Sequence, residues 1–124
     1  MRIIIETIPH QSHRYSTVGD YYVLGDGTRM IRVSELPDER MSLLIALHEL
    51  IEQALTEARG IPEGEIAAFD TAVPADSPYA EDPGHDPAAP YHREHVFAEC
   101  IERLMAAELG VNWQDYEKAI EALG

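Results

Sequence analysis

The sequence predicts an α+β domain, a small antiparallel sheet with a β-hairpin packed against three to four helices. Three observations predict it. Strand-forming runs gather in the first third of the chain, a Gly-Asp-Gly turn separates two of them, and beyond Pro37 apolar residues recur at helical spacing. Strands first and helices after favour a sheet covered by helices on one face.

The elements follow in order. RIIIET (2–7) has the β-branched density of a strand. YYVL (21–24) and TRMIRV (28–33) flank Gly25, Asp26 and Gly27, where glycine permits the positive φ angles of a tight hairpin. Pro37 and Asp38 mark a helix start, and apolar residues at 44, 47, 51, 55 and 58 carry the helix to Gly60. PEGEIAAF (62–69) is expected to form a short helix with Pro62 in its first turn. VPADSPYAEDPGHDPAA (73–89) has four prolines, four acidic residues and no apolar period, so it is expected to be a loop or a lid. A second long helix opens at Pro90 and closes at Gly110, with Phe97, Ile101, Leu104 and Met105 expected on its core face. Asn112 should cap a last helix that packs Trp113, Tyr116 and Ile120 on the body.

Composition narrows the functional classes. A chain of 124 residues that is 45% hydrophobic suits one domain, residues 1–124, with a real core. A formal charge of −14 repels phosphates and acidic membranes, so neither nucleic acid nor membrane is an expected partner; a peptide, a protein or a small molecule is. The opening residues lack the pattern of a secretory signal and no segment suits a bilayer span, which leads us to expect a cytoplasmic protein. Cys100 is the only cysteine, so any metal must be held by His, Asp or Glu.

The pattern with chemical content is HELIE, residues 48–52, inside the apolar run LLIALHELIEQAL. Side chains four apart on a helix share a face, so His48 and Glu52 can reach one ion, while Glu49 lies beside them. Both fall on or next to the apolar stripe, with Glu49 pointing further out, and burying them unpaired would cost several kcal/mol. A partner is required: a metal or an arginine would serve, and a nearby carboxylate hydrogen-bonded to His48 is the structural alternative. Candidate partners lie in YHREH at the start of the second long helix. His95 is the preferred third ligand because neutral imidazole is the commonest metal ligand and a third carboxylate would over-neutralise the ion. Glu94 and His92 are the alternatives, and Glu94 lies closer than His95 to the expected core face. His85 is a weaker candidate, and His10 and His13 are expected at the surface.

The order of these segments resembles that of the small zincin-like proteins encoded by phages and prophages. The GDG hairpin, LHELIE, AAFD, the Pro/Asp-rich loop, PYHREH and ECIERLMAAELGV carry the resemblance, from about residue 20 to 117. It implies a minimal metallopeptidase scaffold with a hairpin edge over the active-site helix, and a metal held at His48 and four residues later. Family members with HExxH have histidine at that second position, where this chain has Glu52. The resulting expectation is a metal-dependent hydrolase acting on peptides, with Zn2+ or another divalent metal on His48, Glu52 and His95 and with Glu49 as general base and then acid. The alternative is a non-catalytic accessory or protein-binding module whose His/Glu cluster is a structural or degenerate metal site.

Overall fold

A computed structural model describes residues 1–124. The elements run β1 (Ile3–Ile8), β2 (Gly19–Val23), β3 (Arg29–Ser34), α1 (Glu39–Ala58), α2 (Glu63–Ala72), α3 (His92–Leu109) and α4 (Trp113–Glu121), with single 3-10 turns at His10–Ser12 and Pro83–His85. No helix is long and apolar enough to cross a membrane.

The hairpin forms as expected. Its turn closes through Leu24 N–H to the Thr28 carbonyl and Gly27 N–H to the Leu24 carbonyl, with Gly27 at φ +87°. The sheet is mixed, however, and not antiparallel. Its order is β1-β3-β2, and β1 runs parallel to β3 with Ile5 opposite Ile31. The reason lies in residues 9–18, which carry the chain across the sheet so that the hairpin returns β3 between β1 and β2. Central β3 is therefore covered on both faces, and Met30, Ile31, Val33 and Ser34 are all buried.

Strand alternation assigns the two faces. Gly19, Tyr21, Ile31 and Val33 share the face on which α1 lies, with the Tyr21 hydroxyl reaching Glu52 of the helix. On the opposite face the 9–18 segment folds back: His10 and His13 each bond the Ser34 hydroxyl, at 2.8 and 2.9 Å, and Arg14 grips Asp20 with two bonds. These histidines are partly buried structural groups rather than free surface residues.

The main core joins Ile31 and Val33 of the sheet to Leu44, Ile45 and Ala46 of α1, Ala106 of α3, Val111, and Tyr116 of α4. Asp38 caps α1 by accepting from the Arg40 N–H, Gly110 ends α3 in the left-handed region at φ +72°, and Asn112 caps α4 by accepting from the Asp115 N–H. The last helix packs as expected, with Tyr116 fully buried and Trp113 and Ile120 against the core.

The expected core face of α3 is corrected. Phe97 and Leu104 are 50% and 65% exposed, whereas Glu94, Ala98, Glu102 and Ala106 point inward. Alanines at 98 and 106 let α3 approach α1 closely, and the space between them is occupied by polar side chains. The inward face of this helix is small and charged, which a hydrophobic projection passes over.

Candidate metal centre

The packing of α1 on α3 brings His48 and Glu52, one helical turn apart, against the first turn of α3 at His95. Three atoms converge. His48 Nε2 lies 3.1 Å from Glu52 Oε2, His95 Nδ1 lies 2.8 Å from the same oxygen, and the two ring nitrogens are 3.1 Å apart. His48 and Glu52 are buried and His95 nearly so.

With Glu52 ionised, protons leave one edge of this triangle without a hydrogen bond. If both nitrogens donate to Glu52 Oε2, the nitrogen–nitrogen edge becomes a contact between two donors; if one is bare, one bond to the carboxylate is lost. A single cation inside the triangle satisfies all three atoms at once. Tetrahedral coordination with bonds of about 2.0 to 2.1 Å separates neighbouring ligand atoms by about 3.3 Å, so the three need move apart by only a few tenths of an ångström. Two imidazoles and one carboxylate suit zinc or a similar divalent ion and leave a fourth position for water.

Each of the three side chains is also held from behind. His48 Nδ1 donates to Glu102 Oε1 at 2.7 Å, and Glu102 Oε2 accepts from the Tyr116 hydroxyl at 2.6 Å. That bond places the proton on Nδ1 and turns the Nε2 lone pair to the centre. Glu52 Oε1 accepts from the Tyr21 hydroxyl at 2.9 Å. His95 Nε2 faces Asp82 Oδ1 at 2.9 Å, and the ring rests on the backbone of Gly84, where any Cβ would overlap it. Replacing Glu102 by glutamine should lower metal affinity about 10- to 100-fold with the helical circular dichroism kept, the range typical of lost carboxylate support behind a histidine ligand.

Without a metal, protons supply the positive charge. Burial would lower the affinity of His48 for its proton, but hydrogen bonds to Glu102 and Glu52 outweigh it and hold the pKa at about 11. His95 is likewise opposed by burial and raised by Asp82 and Glu52, to about 9. Burial pushes Glu52 up, yet its two histidine partners bring it down to about 2.

Glu49 stands apart from this network. Expected to point outward, it is instead partly buried: its carboxylate lies over Gly19 of β2, 2.6 Å from where a Cβ would sit. The side chain makes no hydrogen bond or ion pair, and burial together with the nearby Glu52 charge raises it to about 8. A proton-hungry carboxylate beside three convergent ligand atoms has the attributes of a general base.

The other sequence candidates lie elsewhere. Glu94 pairs with Arg59 at 2.6 Å, and His92 donates from Nδ1 to the Gly84 carbonyl at 2.9 Å. Neither joins the triangle. Tyr91, just before His92, is buried and gives its hydroxyl to Asp70 at 2.6 Å. Sequence reasoning missed Glu102, Tyr116, Tyr21 and Asp82 as supports. Glu102 was within reach of it, because it lies two turns beyond His95 on the same helical face.

Compared with protein-family models, curated proteins and solved structures, the chain matches none.

Proposed function

We propose that this chain is a divalent-metal-dependent hydrolase of the zincin type that acts on peptides. The observation that carries the metal is the triangle of His48 Nε2, Glu52 Oε2 and His95 Nδ1, three buried or nearly buried ligand atoms within 3.1 Å of one another that one cation could engage together. The hydrolase rests on Glu49, an unpaired carboxylate held beside that triangle against the sheet edge.

The bound ion would polarise water and the scissile carbonyl. Glu49 accepts the proton of the attacking water as the oxygen bonds to the carbonyl carbon, and returns it to the amine nitrogen as the carbon–nitrogen bond breaks. The supporting bonds from Glu102, Tyr21 and Asp82 keep the three ligands in place throughout. β2 has β3 as its only strand partner, so its outer edge can pair with an extended substrate. Next to that edge lies a cleft of about 160 Å³ lined by Tyr21, Val23 and Ile66 together with Gln53, Glu57 and Glu63, a place for one substrate side chain. Tyr21 lines the cleft and holds Glu52, which joins the two features.

Protein purified without a histidine tag should carry about one equivalent of zinc or a similar ion on this centre, and it should cleave members of a peptide library. Glu49→Gln should keep the metal and lose cleavage by about 100- to 10,000-fold, the usual weight of a general base. Gly19→Ala should follow it in kind, because the added methyl displaces the Glu49 carboxylate, whose atoms are the nearest to it. Absence of cleavage by wild-type protein that holds metal would overturn the hydrolase.

The burial of His48 and Glu52, 7% and 5% exposed, favours a second reading, a non-catalytic binding module with a structural metal. The same digest separates the two.

A further inference from the structure

We infer that the outward face of α3 docks a second copy of this chain, with the two helices antiparallel about a two-fold axis near Cys100. The inference is independent of the metal reading, because His95 and Glu102 reach α1 from the other side of the helix.

Phe97, Cys100 and Leu104 recur at helical spacing on one side of α3, and all three are exposed. The helix therefore presents an apolar stripe to solvent and its charged residues to the core. The charges that bracket the stripe say what fits it. Arg93 stands in the first turn of α3 and Glu108 in the last, so each repeats the partial charge of its own helix end, an unfavourable placement at both. Nearby Arg103 and Glu99 approach each other at 3.8 Å, whereas Arg93 and Glu108 have no ion-pair partner within the chain.

An antiparallel copy of α3 answers both charges. It brings the partner's Glu108 to Arg93 and the partner's Arg93 to Glu108, and it sets each beside the oppositely charged end of the facing helix. A parallel copy would set like charge on like. Cys100 lies midway between Arg93 and Glu108 in the helix, so one two-fold axis near it makes both pairs, packs Phe97 against the partner's Leu104 and closes the assembly at two chains. The formal charge of −14 opposes association over the rest of the surface, but this face is balanced, with Arg93 and Arg103 against Glu99 and Glu108.

Sedimentation equilibrium on tag-free protein reads the association. One helix face buries less than the roughly 1,600 Å² of a standard interface, so a dimer that dissociates in the micromolar range is expected. A short bismaleimide should link Cys100 to the partner's Cys100 in that dimer. Leu104→Glu should be monomeric; the residue is largely exposed, so the variant keeps the fold, which helical circular dichroism checks. Arg93→Glu and Glu108→Arg should each weaken the dimer about tenfold, because each turns two attractive pairs into repulsive ones, and an equimolar mixture of the two variants should recover the wild-type affinity. A chain that stays monomeric up to about 100 μM overturns the proposal and leaves the face to a partner of another kind. So does a dimer that survives Leu104→Glu, or one in which the mixture associates no better than the separate variants.

Discussion

Glu52→Gln is expected to reduce zinc affinity at pH 7 by at least about 1,000-fold, the largest single loss in the molecule. The substitution removes the one negative charge in the triangle and leaves an amide where both nitrogens need an acceptor. Its shape is nearly unchanged, so the Tyr21 hydroxyl keeps a partner and the contact of α1 with the sheet survives. In the metal-free protein the change should also destabilise, by about 2 to 4 kcal/mol in urea unfolding at pH 6, because buried imidazolium loses its counter-charge. Retention of zinc within tenfold of wild type would mean that Glu52 is not a ligand.

The second large effect is a divergence with pH between metal-free and metal-loaded protein. In the metal-free form His48, held at about 11, and His95, at about 9, exceed their ordinary value of 6.5, so their stabilisation is complete below pH 6.5 and is lost as pH rises through 9 and then 11. Glu52 is depressed to about 2, so its contribution is present above 4.5 and lost as pH falls through 2. Glu49, raised from 4.5 to about 8, acts against folding over that interval. Metal-free protein should therefore be most stable near pH 4.5, decline through Glu49 above it and weaken further from pH 6.5 toward 9. Glu49→Gln should flatten the part of that decline below pH 8. Metal affinity runs the other way, because the ion displaces at least one proton from the two facing nitrogens. It should tighten about tenfold or more per pH unit between pH 6 and 8, with protons released on zinc addition to unbuffered protein. Loaded and metal-free unfolding midpoints compared at pH 6 and 8 read both trends, and a gap that narrows with pH would refute them.

How far the site was legible depended on which helix carried it. On α1 the four-residue spacing of His48 and Glu52 within an apolar run was sufficient to mark a buried ionisable pair that must find a partner. On α3 the same reasoning misled. Phe97 and Leu104 drew the expected core face toward solvent, and Ala98, Glu102 and Ala106 hold the true one. His95 was preferred for its ligand chemistry alone, and the inward turn of Ala98 and Glu102 is what brings it to α1. The parallel pairing of β1 was not legible, because a six-residue apolar strand carries no record of its neighbour's direction. Nor was the role of the acidic loop, where Asp82 and Gly84 act through geometry on His95 and Asp82 Oδ2 stands by His85.

The most direct measurement is an anomalous scan at the zinc edge on crystals of zinc-loaded, tag-free protein. The account predicts a peak about 2.0 to 2.2 Å from His48 Nε2, Glu52 Oε2 and His95 Nδ1 together, with the Glu102 carboxylate still on His48 Nδ1. A map with no peak between those three atoms, and zinc found only on surface carboxylates, would contradict it.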